Sequence, residues 1–195
     1  LTLDLDGVGM PQLRDLIHQS TTIEYLPKPT YLVNSGNGLH LYYVFEKPIP
    51  LYPEAFQTLS KLKHFIIDVV WNTYTSRIEQ RQYQGITQGY RLVGSPTKLG
   101  PECRTTAYWF GPKTTPEKLI EFLQEKRKEI DLSTITEKSN LTLAQAKNKY
   151  PEWYQKRIEQ QQPRGHWVAN KALYEWWKFK LQTEVKTGHR YHSIV

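Results

Sequence analysis

The sequence predicts an α+β domain at residues 1–130, followed by a basic helical segment. Two observations predict this class. Short apolar runs with alternating polar residues are joined by glycine-rich turns, which is typical of paired strands. Longer segments between them carry apolar residues at helical spacing, which is typical of helices that bury one side.

The elements follow in order from these patterns. The first strand, 1–6, ends at a glycine turn, and the signal Gly36-Asn37-Gly38 predicts a hairpin between the second and third strands. A proline in the first turn marks the start of the first helix, and a Thr-Pro pair marks the start of the third. Residues 72–87 are polar and glutamine-rich, which predicts a loop. The strands are predicted at 1–6, 30–35, 39–45, 90–93 and 104–110, the helices at 11–18, 54–71, 115–128, 141–162 and 167–186, and a linker at 131–141.

Composition excludes several classes of protein. A chain of 195 residues with 38% hydrophobic residues, 13 Tyr and 6 Trp is globular rather than disordered. The single cysteine, Cys103, excludes a disulfide framework and a multi-cysteine zinc finger, so we expect a cytoplasmic protein. No apolar run approaches the roughly 18 residues of a membrane helix. Because the only methionine is Met10 and the chain begins within a predicted strand, we expect a truncated N-terminus and a longer parent protein.

The net charge of +7 is concentrated in residues 142–195. This segment holds ten Lys or Arg and four Asp or Glu, whereas residues 1–141 hold 16 and 15. Basic residues interleaved with tryptophans suit a polyanion with stackable bases, and the alternative is a solvated helix face with Trp in its core. The candidate nucleic-acid-binding residues are Lys171, Trp176, Trp177, Lys178, Lys180 and Arg190.

Two aspartates, Asp4 and Asp6, end the first predicted strand. Alternate side chains of a strand share a face, so the two carboxylates point the same way, ~7 Å apart along the backbone. Two carboxylates aimed at one place repel each other unless a cation lies between them, and Mg²⁺ prefers such oxygen ligands. The alternative is an exposed strand end with two solvated acids.

Two later segments add groups that suit a phosphate. In Ser35-Gly36-Asn37-Gly38-Leu39-His40, a glycine turn allows close backbone approach and the imidazole can hydrogen-bond a phosphate oxygen. In the segment 90–100, a guanidinium, an ammonium group and two hydroxyls surround a second glycine turn, a set that suits a triphosphate. The candidate nucleotide-binding residues are Ser35, Gly36, Gly38, His40, Arg91, Ser95, Thr97 and Lys98.

These motifs resemble those of the archaeo-eukaryotic primase superfamily, in particular the primase-polymerases of phages, plasmids and other mobile elements. The family's first motif, an apolar strand ending in Asp-x-Asp, matches Leu3 to Asp6, and its Ser-Gly-x-Gly-x-His motif matches Ser35 to His40. The family's Arg- and Lys-containing segment resembles residues 90–100. The resemblance covers residues 1–110, and the tail is similar to the helical region that follows the catalytic domain in such primases.

The resemblance implies a curved, mostly antiparallel, RRM-like palm that makes or extends primers by two-metal nucleotidyl transfer. It implies that Asp4 and Asp6 hold Mg²⁺ or Mn²⁺ and, with His40, form the catalytic set. The family also has a third metal-binding acid before the Arg segment. Here that stretch is glutamine-rich, and the nearest acids are Glu79 and Asp68. The implied partners are a single-stranded DNA template, nucleoside triphosphates of either sugar type, and a helicase in the same chain or separate.

Two other functions remain open on the sequence. A catalytically weak or inactive replication initiator with a primase fold would bind DNA without polymerising nucleotides, and the glutamine-rich third motif favours it. A haloacid-dehalogenase-type phosphatase also begins with an apolar strand and Asp-x-Asp, with Asp4 as nucleophile and Asp6 as general acid/base. That fold needs a late pair of acids and early βαβ units, and the sequence predicts neither.

Overall fold

The structure is a computed structural model that describes residues 1–136 and 141–162, together with Glu175, Trp176 and Phe179. The chain divides into two units, Leu1–Asn140 and Leu141–Val195. Among the described residues, no helix has both the length and the apolar composition that crossing a membrane requires.

The first unit contains two antiparallel sheets, which together with its helices confirm the predicted α+β class. A four-stranded sheet has the order β1-β3-β2-β6, and a two-stranded sheet pairs β4 with β5. The strands are β1 (Thr2–Asp6), β2 (Tyr31–Asn34), β3 (Gly38–Tyr42), β4 (Pro96–Thr97), β5 (Gly100–Arg104) and β6 (Thr106–Trp109).

Helices begin where the sequence supplies caps and prolines. The side chain of Gln12 accepts a hydrogen bond from the Gly9 amide at the start of the first helix, and the hydroxyl of Thr115 accepts one from the Lys118 amide at the third. The helices of the first unit are α1 (Met10–Thr21), α2 (Pro53–Val70) and α3 (Pro116–Ile120), followed by 3₁₀ segments at Glu121–Glu129 and Leu132–Thr134. The second unit contains α4 (Leu143–Lys149), α5 (Pro151–Tyr154) and a π-helical turn at Gln155–Glu159.

The two faces of the four-stranded sheet differ in character. Leu3 and Leu5 lie opposite Leu41 and Leu39, and all four are buried in a core shared with α1 and α2. Residues directly opposite each other in an antiparallel ladder share a face, so the remaining positions form the other face. We call it the outer face; it consists of Thr2, Asp4 and Asp6 of β1, His40 and Tyr42 of β3, Tyr31 and Val33 of β2, and Ala107 and Trp109 of β6.

The free edge of β1 is covered by side chains of residues 76–90, which we call the edge segment. Gln84 accepts a hydrogen bond from the Asp4 amide (3.1 Å) and donates one to the Asp4 carbonyl (2.8 Å). The hydroxyl of Tyr90 donates to the Thr2 carbonyl, and that of Ser76 donates to the Asp6 carbonyl. These contacts satisfy backbone groups that an uncovered edge strand would expose.

Four predicted elements differ from the structure. Residues 90–93 form no strand, because the edge segment binds β1 through side chains rather than a ladder. The predicted strand 104–110 is divided at Thr105, whose amide and carbonyl pair with the backbone of Ser95 and Gly94 instead of a sheet neighbour. The predicted helix 115–128 is α only to Ile120 and then becomes 3₁₀. The predicted helix 141–162 breaks before Pro151, since proline disfavours helical geometry at the residue before it. The predicted helix 167–186 lies almost entirely outside the described residues.

Replacing Gly38 with alanine tests the close approach of β3 to β1. An added Cβ would lie 2.5 Å from the Leu5 carbonyl oxygen, so we expect Gly38→Ala to lower the free energy of unfolding by about 1–3 kcal/mol. Urea denaturation measures this. Gly89→Ala is the matched control, because a Cβ there has no atom within 4 Å. Equal stability of the two variants would contradict the close packing.

Candidate functional site

The register of β1 against β3 brings the two sequence motifs together. Asp4 lies directly opposite His40, and Asp6 lies opposite Gly38. The Asp4 Oδ1 atom is 3.6 Å from the His40 Nε2 atom. Both aspartates belong to the outer face, as the alternation of a strand predicts. The acidic pair and the Ser-Gly-x-Gly-x-His motif therefore form one site.

Four charged groups, in addition to burial, affect the ionisation of Asp4. Burial raises the pKa of Asp4 to about 6, and the charge of Asp6 adds to the rise. Lys98, Arg91 and Lys63 act in the opposite direction. The ionisation of Asp4 is therefore sensitive to the charges of Lys98 and Arg91, and the binding of a triphosphate by these two residues stays a prediction.

His40 is a buried imidazole with an unused nitrogen. Its side chain is 5% exposed, and its Nδ1 atom is buried without a hydrogen-bond partner. Burial lowers the pKa of His40, the Arg91 charge lowers it further, and Asp6 opposes this. The imidazole is therefore mainly neutral at neutral pH, and its contact with Asp4 is not an ion pair under those conditions. A buried unpaired nitrogen costs free energy unless a ligand binds it.

The glycine hairpin is built for close packing. Gly36 has a φ of +108°, and an added Cβ there would lie 2.9 Å from Thr97. The Ser35 hydroxyl is buried and donates to the Gly38 carbonyl (3.1 Å). Ser35 therefore holds the hairpin together, and the hairpin rests on the loop that carries Lys98.

The two other predicted hydroxyls bind the backbone of their own loop. Ser95 donates to the Leu92 carbonyl (2.7 Å), and Thr97 accepts from the Leu99 amide (3.2 Å). Both contacts shape the turn that presents Lys98, whose side chain is exposed. Their role in this structure is to hold that turn.

Three residues that organise the site, Lys63, Gln84 and Tyr90, were not predicted from the sequence. Lys63 of α2 is buried, and its Nζ atom donates to the Gly85 carbonyl and the Tyr90 hydroxyl, both at 2.9 Å. Burial lowers the pKa of Lys63 to about 8, and the Asp4 charge opposes the fall. The Tyr90 ring lies edge-on to His40 with centroids 5.0 Å apart. The sequence carries a signal for Lys63, because this charged residue lies between Leu62 and Ile66 on the buried side of α2. No local signal identifies Gln84 or Tyr90.

The expected third acid has other partners. Asp68 binds Arg81, Lys126 and the Tyr83 hydroxyl, and it lines a separate cleft. Glu79 is exposed in the edge segment. Within residues 1–136 and 141–162, and at the three other described positions, no three His, Cys, Asp or Glu side chains are grouped to hold a metal ion.

Most of the residues predicted to bind nucleic acid in the tail lie outside the described residues. This is true of Lys171, Trp177, Lys178, Lys180 and Arg190, whereas Trp176 is described and is 51% exposed.

Comparison with known proteins adds no relative. The chain matches no protein-family model, no curated protein and no solved structure.

The antiparallel pairing throughout the four-stranded sheet does not favour the phosphatase alternative, because that fold is built from parallel βαβ units.

Asp4→Asn tests the electrostatics of the site. Because the folded state binds the Asp4 proton more tightly than the unfolded state, the ionised carboxylate reduces stability as pH rises from about 4 to about 6. In the presence of a chelator at pH 7, we expect Asp4→Asn to raise the free energy of unfolding by about 1–2 kcal/mol. One pKa unit corresponds to about 1.4 kcal/mol, and partial exposure of Asp4 to solvent screens its charge. Urea denaturation between pH 4 and 8, a range that spans the shifted pKa, measures the gain, which should vanish in acid.

Asp131→Asn is a control of opposite sign. Hydrogen bonds from Ser133 lower the pKa of Asp131, so its ionised form stabilises the fold at neutral pH and that contribution is lost in acid. A loss of stability at pH 7 in Asp4→Asn would contradict the repulsive environment of Asp4.

Proposed function

We propose that this chain is the catalytic part of a DNA-dependent primase-polymerase that makes or extends primers by nucleotidyl transfer. One observation carries the proposal: Asp4, Asp6 and His40 share one face of a small antiparallel sheet, with the imidazole 3.6 Å from the Asp4 carboxylate. The charges of Lys98 and Arg91 act on Asp4 in the opposite direction to that of Asp6, and groups of both signs suit a nucleoside triphosphate with a divalent cation.

The acidic pair fits a divalent cation. Repulsion between Asp4 and Asp6 contributes to the raised pKa of Asp4, and a cation between them would remove that repulsion. Asp4 and Asp6 would hold Mg²⁺ or Mn²⁺, with phosphate oxygens and water completing its coordination. The bound ion would stabilise the charge that develops on the oxygens during transfer.

The other residues of the site would bind the triphosphate. Arg91 can bind phosphate oxygens through two parallel hydrogen bonds, and Lys98 adds a point charge. The Nδ1 atom of His40, which is buried and unpaired here, would donate to a third oxygen once neighbouring side chains move to expose it. The negative charge of the phosphates would raise the pKa of His40 and favour its protonated form, in which Nδ1 donates to phosphate and Nε2 faces Asp4.

Gln84 supports a second candidate function, that of a replication initiator which binds DNA without polymerising nucleotides. The resemblance to primases leads us to expect an acid in this stretch, and the Gln84 amide is instead bound at both ends to the Asp4 backbone. A site with two acids holds a second metal ion loosely. In this case the wild-type protein would bind single-stranded DNA and incorporate no nucleotide.

Removing either acid of the pair tests catalysis. We expect Asp4→Ala and Asp6→Ala each to abolish nucleotide incorporation, because each removes a cation ligand. The measurement is primer synthesis and extension on single-stranded DNA with Mg²⁺ or Mn²⁺ and with both sugar types. Asp15→Ala, which changes an acid of α1, is the matched control and should keep full activity.

Two outcomes of this assay separate the candidates. Incorporation that persists in Asp4→Ala would remove the metal assignment. Absent incorporation in the wild type, together with retained DNA binding, would favour the replication initiator.

His40→Ala and Arg91→Ala test the triphosphate contacts. A hydrogen bond to a charged group contributes about 1.5–3 kcal/mol, so we expect nucleotide affinity to fall by about ten- to a hundredfold while template affinity changes little. Separate titrations with labelled nucleotide and labelled DNA measure the two affinities. The control is Arg127→Ala, an exposed arginine of the 3₁₀ segment. Equal losses of nucleotide and template affinity in His40→Ala would mean that His40 only supports the fold.

A further inference from the structure

Three aromatic residues of the outer face lie side by side on three neighbouring strands. Tyr31 of β2 is directly opposite Tyr42 of β3 on one side and Trp109 of β6 on the other. Directly opposite residues have Cβ atoms about 4.5–5.5 Å apart, so the three side chains project side by side from the same face of the sheet. We call Tyr42, Tyr31 and Trp109 the aromatic row.

The aromatic row becomes more exposed with distance from the acidic pair. Tyr42 is half-buried, Tyr31 is 41% exposed and Trp109 is 78% exposed. The Trp109 indole is nevertheless held in place, because its Nε1 atom donates to the Gly111 carbonyl (2.7 Å). Large, oriented aromatic surfaces that remain exposed are typical of binding sites.

The aromatic row begins beside the candidate nucleotide site. Tyr42 follows His40 by two residues on β3, and their ring centroids are 6.5 Å apart. Tyr90 contacts both rings, at 5.0 Å from His40 and 6.0 Å from Tyr42. A ligand that stacks on the row would therefore reach the acidic pair without leaving the outer face.

Positive charges act at one end of the row. The charges of Lys98 and Arg91 affect Asp4, which lies opposite His40, the imidazole next to Tyr42. An aromatic surface beside positive charges is complementary to a strand whose bases stack while its phosphates bind cations.

We infer that the aromatic row binds the bases of single-stranded DNA by stacking. The inference deepens the proposed function, on which its interpretation as the template site rests, since it leads the strand toward the acidic pair. The binding itself needs neither metal nor nucleotide. None of the three residues of the row is among the nucleic-acid-binding residues predicted from the sequence.

The test compares two oligonucleotides on the full chain, in the absence of divalent metal and nucleotide. One is a fluorescent oligothymidylate, and the other is an abasic strand of the same length and charge. We expect tighter binding of the oligothymidylate by fluorescence anisotropy. Trp109→Ala and Tyr31→Ala should each reduce this preference by about five- to a hundredfold, because each removes a stacking surface.

Tyr108→Ala is the matched control. Tyr108 adjoins Trp109 and is 61% exposed, but it lies opposite Leu32 and therefore on the other face of the sheet. Its removal should leave the preference unchanged. Circular dichroism and thermal melting establish that the variants are folded.

Three results would overturn the inference: an unchanged preference in both Trp109→Ala and Tyr31→Ala, an equal loss in Tyr108→Ala, or complete displacement of the oligonucleotide by free thymidine triphosphate. The last would assign the row to a mononucleotide. The wild-type protein could incorporate no nucleotide while Trp109→Ala and Tyr31→Ala lose the preference. That result would support the inference and refute polymerase activity, so the two proposals can fail separately.

Discussion

The pairing of β1 with β3 is the constraint on which the site depends. Strand side chains alternate, so shifting this register by one residue would turn Asp4 and Asp6 into the core and bring leucines to the outer face. Burial of Leu3 and Leu5 against Leu39 and Leu41 makes that shift unfavourable. The hydrophobic core thus sets the position of the acidic pair opposite His40, and Gly38 allows the two backbones to approach closely.

The residues that cover the edge of β1 also fix the segment that leads to Arg91. Gln84 and Tyr90 bind the exposed backbone groups of β1, and Lys63 binds both the Gly85 carbonyl and the Tyr90 hydroxyl. Arg91 follows Tyr90 directly, and its charge affects the pKa of Asp4. A residue of α2 therefore helps to fix the segment that leads to Arg91.

The two faces of the sheet separate stability from binding. The core face holds the leucines that pack on α1 and α2. The outer face holds groups that cost stability: a carboxylate with a raised pKa, a buried imidazole with an unpaired nitrogen, and aromatic rings that stay partly exposed to water. Such features persist in a fold when the core supplies enough stability to offset their cost. Their concentration on one face supports a ligand of mixed charge and aromatic character there.

The sequence by itself determined the α+β class, the Gly36–Gly38 hairpin, the long helix α2 and the grouping of Asp4 with Asp6, because each depends on side-chain period or turn chemistry within a few residues. Only the tertiary structure decided the division of the last predicted strand at Thr105, the partners of Asp68, the roles of Lys63 and Gln84, and the alignment of Tyr42, Tyr31 and Trp109. These features join residues that are distant in the chain. Their energies come from burial and register across several strands, which no local pattern encodes.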